Sequence, residues 1–410
     1  MSEIFETGDI VRCTLQDSTC EGTYIATRDE MATIKLTSGY NIGVPPDVLT
    51  KIAPSDTREP QIIEIAQDIT LPLISIVSTG GTIASKIDYR SGAVTSQFRA
   101  TDILSAIPGL ASLAQFRAVQ LCNILSENMT PAIWQQLARA IYEEIKAGAK
   151  GILVTHGTDT MAYSAAAVSF MLKTPVPIVF VGSQRSADRP SSDNLMNGLC
   201  AAATALSGLG EVVVVMHEST SDDKCAIHRG TRVRKMHTSR RDAFRTIGTN
   251  LVGTVAYPSL EVTLTNQAVH RGETELVLKD NLCEKCGVIW YYPGMNPDTL
   301  SAWKDYKGIV LAGTGLGHAG TGVISRIKEM SASGTIFVMT SQCLNGRVCD
   351  RVYDTGRDLL AAGVIEGEDT LPEVALVKLM WALGNSKDDR EARNLMKQDL
   401  AGEITRRSQA

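Results

Sequence analysis

With 410 residues, the chain is long enough for two or three domains at roughly 100–200 residues each, and for a sizeable buried core. Hydrophobic residues make up 44% and charged residues 21%, an ordinary globular mixture, and the longest apolar runs, such as Val212 to Met216, are far too short to cross a bilayer. A formal net charge of −5 lacks the basic surplus usual in nucleic-acid binders, so any such role is local or shared with a partner.

The opening MSEIFETGDIV has no basic n-region followed by an apolar h-region, which predicts a cytoplasmic protein without a signal peptide. From about Gly8 to Ile52, short runs with β-branched and aromatic residues alternate with turn-rich pieces. This pattern predicts a small antiparallel β-barrel over 1–55. The polar stretch APSDTREP opens a linker over 56–70.

The texture then changes to α/β. PLISIVSTGG reads as a buried strand running into glycines, and Phe116–Asn123 as another strand. Pro131–Ala147 is spaced like an amphipathic helix. GILVTHGT is a strand, Met161–Met171 a helix, PIVFVGS a strand, Asn194–Leu206 a helix and EVVVVMH a strand. The alternation implies a parallel sheet covered on both faces over 71–255. A connecting segment follows over 256–282. A smaller α/β unit over 283–410 contains GVIWYYPG, GIVLAGTGLGH, TIFVMTSQC and a helix at Pro372–Leu383.

Nine cysteines are scattered through the chain, and free thiols are the expectation. Cys283 and Cys286 form one CxxC. A zinc ribbon needs a second pair, so this one reads as structural or incidental. The six histidines lack HExxH or other paired spacing, and no metal or organic cofactor is expected on the chain.

Three turns follow strands directly. The first is Thr79-Gly80-Gly81-Thr82-Ile83-Ala84. Ligands of open parallel sheets bind beyond the carboxyl ends of strands, and paired glycines allow close approach. By itself, Thr82 reads equally as a nucleophile or a helix N-cap. The second is Thr155-His156-Gly157-Thr158-Asp159-Thr160, which repeats the design and adds a carboxylate. A hydroxyl is a weak nucleophile and needs a base or cation beside it. Asp159, with a lysine from elsewhere in the chain, can supply that. The third turn, Val181 to Pro190, reads as a crevice loop or a polar connection.

TGGTIAS and THGTDTM resemble the two signatures of the type I/II asparaginase family, and the similarity covers roughly residues 71–405. It implies an asparaginase-like fold of two α/β domains preceded here by the small antiparallel barrel. It implies that Thr82 is the nucleophile and that Tyr89, in YRSG, is a mobile-loop tyrosine assisting it. Ser126, in NILSENM, would bind the substrate α-carboxylate. Glu127 stands where many members have glutamine, so recognition of the α-amino group differs. Thr158 and Asp159 match the second threonine and its aspartate, and Lys235, in RVRKMHT, matches the lysine that bonds to that pair. Gly81 and Gly157 belong to the substrate-contacting turns. The chemistry implied is acyl transfer: attack, release of ammonia and hydrolysis of the acyl-enzyme.

The barrel segment, with GDIVRC and GYNIGV, is similar to one branch in particular, the D-subunit family of archaeal glutamyl-tRNA(Gln) amidotransferases. GTGLGHAG, SQCLNGRV, VYDTGRDLLAAGVI and VKLMWALG are similar as well. That resemblance implies a glutaminase whose ammonia passes to the amidotransferase's E subunit, in a heterodimer or a dimer of heterodimers. The E subunit would use ATP and Mg and hold most of the tRNA(Gln). Absence of GxxxxGK[ST] fits this division. Glutamine or asparagine is the expected small substrate, and a free-standing L-asparaginase is the alternative. A third reading is a binding module on an inactive hydrolase fold. The basic run from His228 to Arg245 reads as an active-site loop or as a contact for tRNA or partner.

Overall fold

The computed structural model describes residues 5–6, 8–15, 18–36, 41–54, 67–80, 86–87, 94–95, 107, 109–186 and 191–407. The N-terminal strands are β1 (Ile10–Leu15), β2 (Ser18–Arg28), β3 (Met31–Leu36), β4 (Asn41–Val44) and β5 (Leu49–Ala53). They form an antiparallel sheet in the order β4-β3-β2-β1-β5. Alternate residues point to one face, where Val11, Cys13, Ala32 and Ile34 pack with Tyr24, Val44 and Leu49. The strand-period pattern of the sequence is this buried face.

The next strands are β6 (Leu73–Ser78), β7 (Lys86–Ile87), β8 (Val94–Thr95), β9 (Gln115–Gln120), β10 (Gly151–Thr155), β11 (Leu172–Lys173), β12 (Ile178–Val181), β13 (Val212–His217), β14 (Lys224–Arg229), β15 (Val233–Lys235), β16 (Phe244–Thr246), β17 (Gly253–Ala256), β18 (Val262–Leu264) and β19 (Val277–Leu278). Eight of them form one sheet, in the order β18-β17-β14-β13-β12-β10-β6-β9. From β9 to β13 every pairing is parallel. The sheet then turns antiparallel at β14, β17 and β18. The expectation of a parallel sheet therefore holds for five strands only. The reason is local: β13 and β14 are joined by residues 218–223, too few for the crossover that parallel strands require. The sheet also extends to Leu264, past position 255, because β17 and β18 add to its edge.

Helices α1 (Pro131–Lys146), α2 (Met161–Met171) and α3 (Asn194–Leu206) cover this sheet. Pro131 occupies the first turn of α1, and Ile133 N–H donates to the Thr130 hydroxyl cap at 3.4 Å. Its buried face is Trp134, Leu137, Ala138 and Ile141, the helical period read from the sequence. Alternation along β10 serves both layers. Ile152 and Val154 join Leu137, Ile141 and Val168 on one side. Leu153 joins Cys200, Ala201 and Ala205 of α3 on the other.

The C-terminal unit is a parallel sheet of β20 (Cys286–Trp290), β21 (Gly308–Gly313), β22 (Ile336–Ser341) and β23 (Ile365–Glu366), paired in chain order. Helices α4 (Thr321–Ala332) and α5 (Asp354–Ala361) lie on one face. Helix α6 (Pro372–Asn385) lies on the other, and α7 (Asp389–Met396) packs on α6. Helix α2 is apolar all round because it is enclosed between the large sheet and α6. Phe170 and Met171 share one core with Val377, Trp381, Val310 and Val338, so the two units are joined by a continuous apolar layer. No described helix is long and apolar enough to cross a membrane.

A buried ion pair also crosses this junction. Arg232, 1% exposed, donates from Nη2 to Asp369 Oδ2 at 3.0 Å, from Nη1 to the Asp369 carbonyl and from Nε to the Gly402 carbonyl. Asp369→Ala leaves the guanidinium buried without its carboxylate. The expected loss of stability is about 3–5 kcal/mol, read as a lowered urea midpoint. An Arg232→Met/Asp369→Leu double variant, which removes both charges, should recover much of it. A midpoint unchanged by Asp369→Ala would show that the pair adds nothing to domain docking.

Candidate active site

Parallel pairing sets the carboxyl ends of β6, β10 and β12 side by side, with Ser78 opposite Thr155 and Thr155 opposite Val181. All three turns singled out in the sequence therefore leave from one edge of the sheet. Two of them are tied together at their start. Thr79 N–H and Oγ1 both donate to the Thr155 carbonyl at 3.1 Å, and Thr155 Oγ1 donates to Ser78 Oγ at 3.0 Å. Gly80 follows with φ +111°, and a Cβ there would lie 2.7 Å from the Ile124 carbonyl oxygen. Only glycine meets both conditions. Gly81, Thr82 and Tyr89 lie outside the described residues.

The second turn holds the clearest chemical arrangement. Lys235 Nζ donates to Thr158 Oγ1 at 2.8 Å and to Asp159 Oδ1 at 2.8 Å. The lysine side chain is 13% exposed, whereas the Asp159 carboxylate is 69% exposed. Lys235 reaches the turn from the end of β15, in the hairpin β15–β16. Residues 236–240 form the exposed tip of that hairpin. A pocket of about 310 Å³ opens there, lined by Asp159, Lys235, Met236, His237 and Thr238.

Ser126 is buried in a 3-10 turn and lies against Gly157, where a Cβ would come within 2.7 Å of Ser126 Cβ and 2.9 Å of its hydroxyl. Thr160 Oγ1 donates to the Ser126 carbonyl at 2.7 Å and locks the two turns together. Glu127 is the next residue of the 3-10 turn and is exposed. The fold thus gathers Ser126, Glu127, Gly157, Thr158, Asp159 and Lys235 at one edge.

His156 is fully buried between these turns. Burial pushes it down to about 4, so the ring is neutral. Its Nδ1 lies 2.7 Å from the Gly157 carbonyl, which can only accept, so Nδ1 carries the proton. That bond orients the peptide just before Thr158.

The third turn is organised by Asp193, whose role is not evident from the sequence. Its buried carboxylate accepts from Ser183 Oγ at 2.8 Å, from the Gln184 and Arg185 N–H groups at 2.9 Å each, and from Asn197 Nδ2 at 2.9 Å. Asn197 Oδ1 contacts His217 Nδ1 at 2.6 Å, and His217 Nε2 contacts Asp222 at 3.1 Å. Arg241 Nη1 donates to Asp222 at 2.5 Å. This chain of bonds runs from the third turn to the base of the loop following Lys235. The available signal was SSDN before an apolar helical run, which marks a cap position without revealing where the carboxylate turns.

The basic run is neutralised from within. Arg229 pairs with Glu211, Arg232 with Asp369, Arg234 with Glu373, Lys235 with Asp159, Arg241 with Asp222, and both Arg240 and Arg245 with Asp242. Every lysine and arginine between 228 and 245 thus has a carboxylate partner.

The asparaginase N-terminal family model matches residues 73–269, and the glutaminase/asparaginase C-terminal domain model matches 285–396. The D subunit of glutamyl-tRNA(Gln) amidotransferase from Methanosarcina mazei is 54% identical, with 98% of each chain covered. The chain belongs to the D-subunit family of glutamyl-tRNA(Gln) amidotransferases, built on the asparaginase fold. The D subunit from Archaeoglobus fulgidus is 52% identical over 98% of this chain and 96% of that one. Among solved structures, the thermostable L-asparaginase from Thermococcus kodakarensis is 33% identical with a TM-score of 0.73. It matches along 99% of its own length but only 81% of this chain. The protein is therefore an enzyme with asparaginase-type hydrolase domains, and its N-terminal sheet lies outside both family models.

Proposed function

We propose that this chain hydrolyses the side-chain amide of glutamine with Thr82 as nucleophile, and that the ammonia passes to a partner protein that converts Glu-tRNA(Gln) to Gln-tRNA(Gln) with ATP. The observation that carries the reading is the Lys235 ammonium bound to both Thr158 Oγ1 and Asp159 Oδ1 at 2.8 Å. An ammonium held between a hydroxyl and a carboxylate is set up to pass a proton. The Thr82 oxygen attacks the amide carbon, and its proton travels through the Thr158–Lys235–Asp159 group to the leaving nitrogen. Ammonia departs, and water then cleaves the acyl ester. Backbone N–H groups of the two turns stabilise the oxyanion of each tetrahedral intermediate. Ser126 holds the α-carboxylate, Tyr89 assists the nucleophile, and Gly81 and Gly157 let the substrate approach the backbone. Glu127 faces the α-amino group.

Two features favour amidotransfer over a free-standing L-asparaginase. The D-subunit relatives match through the N-terminal sheet, and the asparaginase family models begin after it. Pairing of every cation in the 228–245 run also supports placing most tRNA contact on the partner. The test is ammonia release from glutamine and from asparagine, by the chain alone and with partner and Glu-tRNA(Gln). The expected result is a higher kcat/KM for glutamine and amidation of the tRNA that requires this chain when glutamine is the donor. Full asparagine turnover by the isolated chain, with no contribution to amidation, would sink the proposal in favour of the asparaginase reading.

A further inference from the structure

The proposed reaction does not use the thiols of the CxxC of the small domain, although Cys286 packs in the core shared by the two units and Cys283 lies against it. Cys283 is partly exposed, Cys286 is buried, and both are free thiols. They flank a bend at 284–285 that leads into β20. Cys283 N–H donates to the Met380 carbonyl of α6 at 2.8 Å, which anchors the bend to the helix joining the two units. Cys286, the Lys285 backbone N–H and the Lys307 ammonium all act on Cys283 to lower its thiol pKa, against the burial that raises it. Among the described residues no group of three or more His, Cys, Asp or Glu is gathered for a metal, so the pair lacks the ligands of a zinc site.

We propose that Cys283 and Cys286 are a redox-active dithiol that exchanges with low-molecular-weight disulfides, Cys283 attacking and Cys286 resolving. The roles follow from position: the exposed sulfur carries the stabilising donors, and the buried one sits within reach of it. In the first step the Cys283 thiolate bonds to one sulfur of the external disulfide and expels one thiolate. Cys286 then gives up its proton, attacks Cys283 Sγ and expels the second. The external disulfide is reduced to two thiols, and the protein pair is oxidised to one intramolecular disulfide. Hydrogen bonding from Cys286 also brings Cys283 down to about 6, so the attacking form persists below neutrality.

The experiment equilibrates the full-length protein with oxidised and reduced glutathione, quenches with acid, alkylates free thiols and maps them by mass spectrometry. The expected result is an internal disulfide at 283–286, with Cys200 and Cys225, both buried, still alkylatable. Cys286→Ser keeps a hydroxyl donor and should accumulate a mixed disulfide on Cys283. Alkylation of Cys283 in that variant should still set in below the ordinary thiol range, because the Lys285 N–H and the Lys307 ammonium remain to lower it. Free thiols at 283 and 286 in a buffer that already modifies exposed Cys343 would overturn the assignment. Absence of a mixed disulfide on Cys283 in Cys286→Ser would do the same, whatever the amide hydrolase activity proves to be.

Discussion

Lys235→Met lowers kcat for amide hydrolysis by about 10²–10⁴-fold, the range for loss of a positioned proton-transfer group. The KM changes far less. The lysine is the described side chain that bonds to both the Thr158 hydroxyl and the Asp159 carboxylate. Without it, nothing described holds the two in register. A structural role predicts a different pattern. Asp159 is 69% exposed, and an ion pair so open to solvent contributes only about 0–1 kcal/mol to stability. The variant should therefore melt within a few degrees of the parent while losing nearly all turnover. Lys235→Arg should not restore it, since a guanidinium stays charged and cannot give up and regain a proton as the lysine amine can. Steady-state ammonia release and thermal melting decide the matter. A kcat within a few-fold of the parent would reduce Lys235 to a partner of an exposed carboxylate.

Thr82→Ala abolishes glutamine-dependent amidation of Glu-tRNA(Gln), on the order of 10⁴-fold or more, because the attacking oxygen is gone and water must replace it. Free ammonia should still support amidation at the parent rate, since the proposed function gives the later steps to the partner. The contrast between the two nitrogen donors is the diagnostic. Loss of both activities would mean that the substitution disturbs assembly or tRNA engagement rather than amide cleavage. Retention of the glutamine-dependent activity would remove Thr82 from the mechanism. The structure brings the described chain to Gly80, two positions before Thr82, and ties that approach to the second turn through Thr79 and Thr155.

Much of the fold was legible because its signals are local. Helices α1, α2 and α3 fall where the sequence placed them, to within a residue, α1 by its apolar period of 3.6, and the buried strands end at the glycine turns read as a ligand crevice. The turn THGTDT announced its hydroxyl and carboxylate by adjacency alone. The antiparallel edge of the large sheet was less visible, because β14, β17 and β18 are short and their direction depends on which strand each one pairs with. Asp193 was missed for a similar reason: a cap-like aspartate looks the same whether it caps its own helix or, as here, gathers the N–H groups of a neighbouring turn.

The amino-acid sequence by itself determined the glycine turns that follow the strands at Thr79-Gly80 and at Gly157-Thr158-Asp159, the helix positions and the CxxC, since each depends on residues within a few positions of one another. Only the tertiary structure decided what meets what. Lys235 reaches Thr158 across 77 positions, and Thr160 closes on Ser126 across 34. The basic run, which by composition could have faced nucleic acid, is absorbed by carboxylates as far away as Asp369, 137 positions from Arg232. Such pairings leave no periodic trace in the chain, because they are made by the sheet register and the domain junction that bring distant segments together.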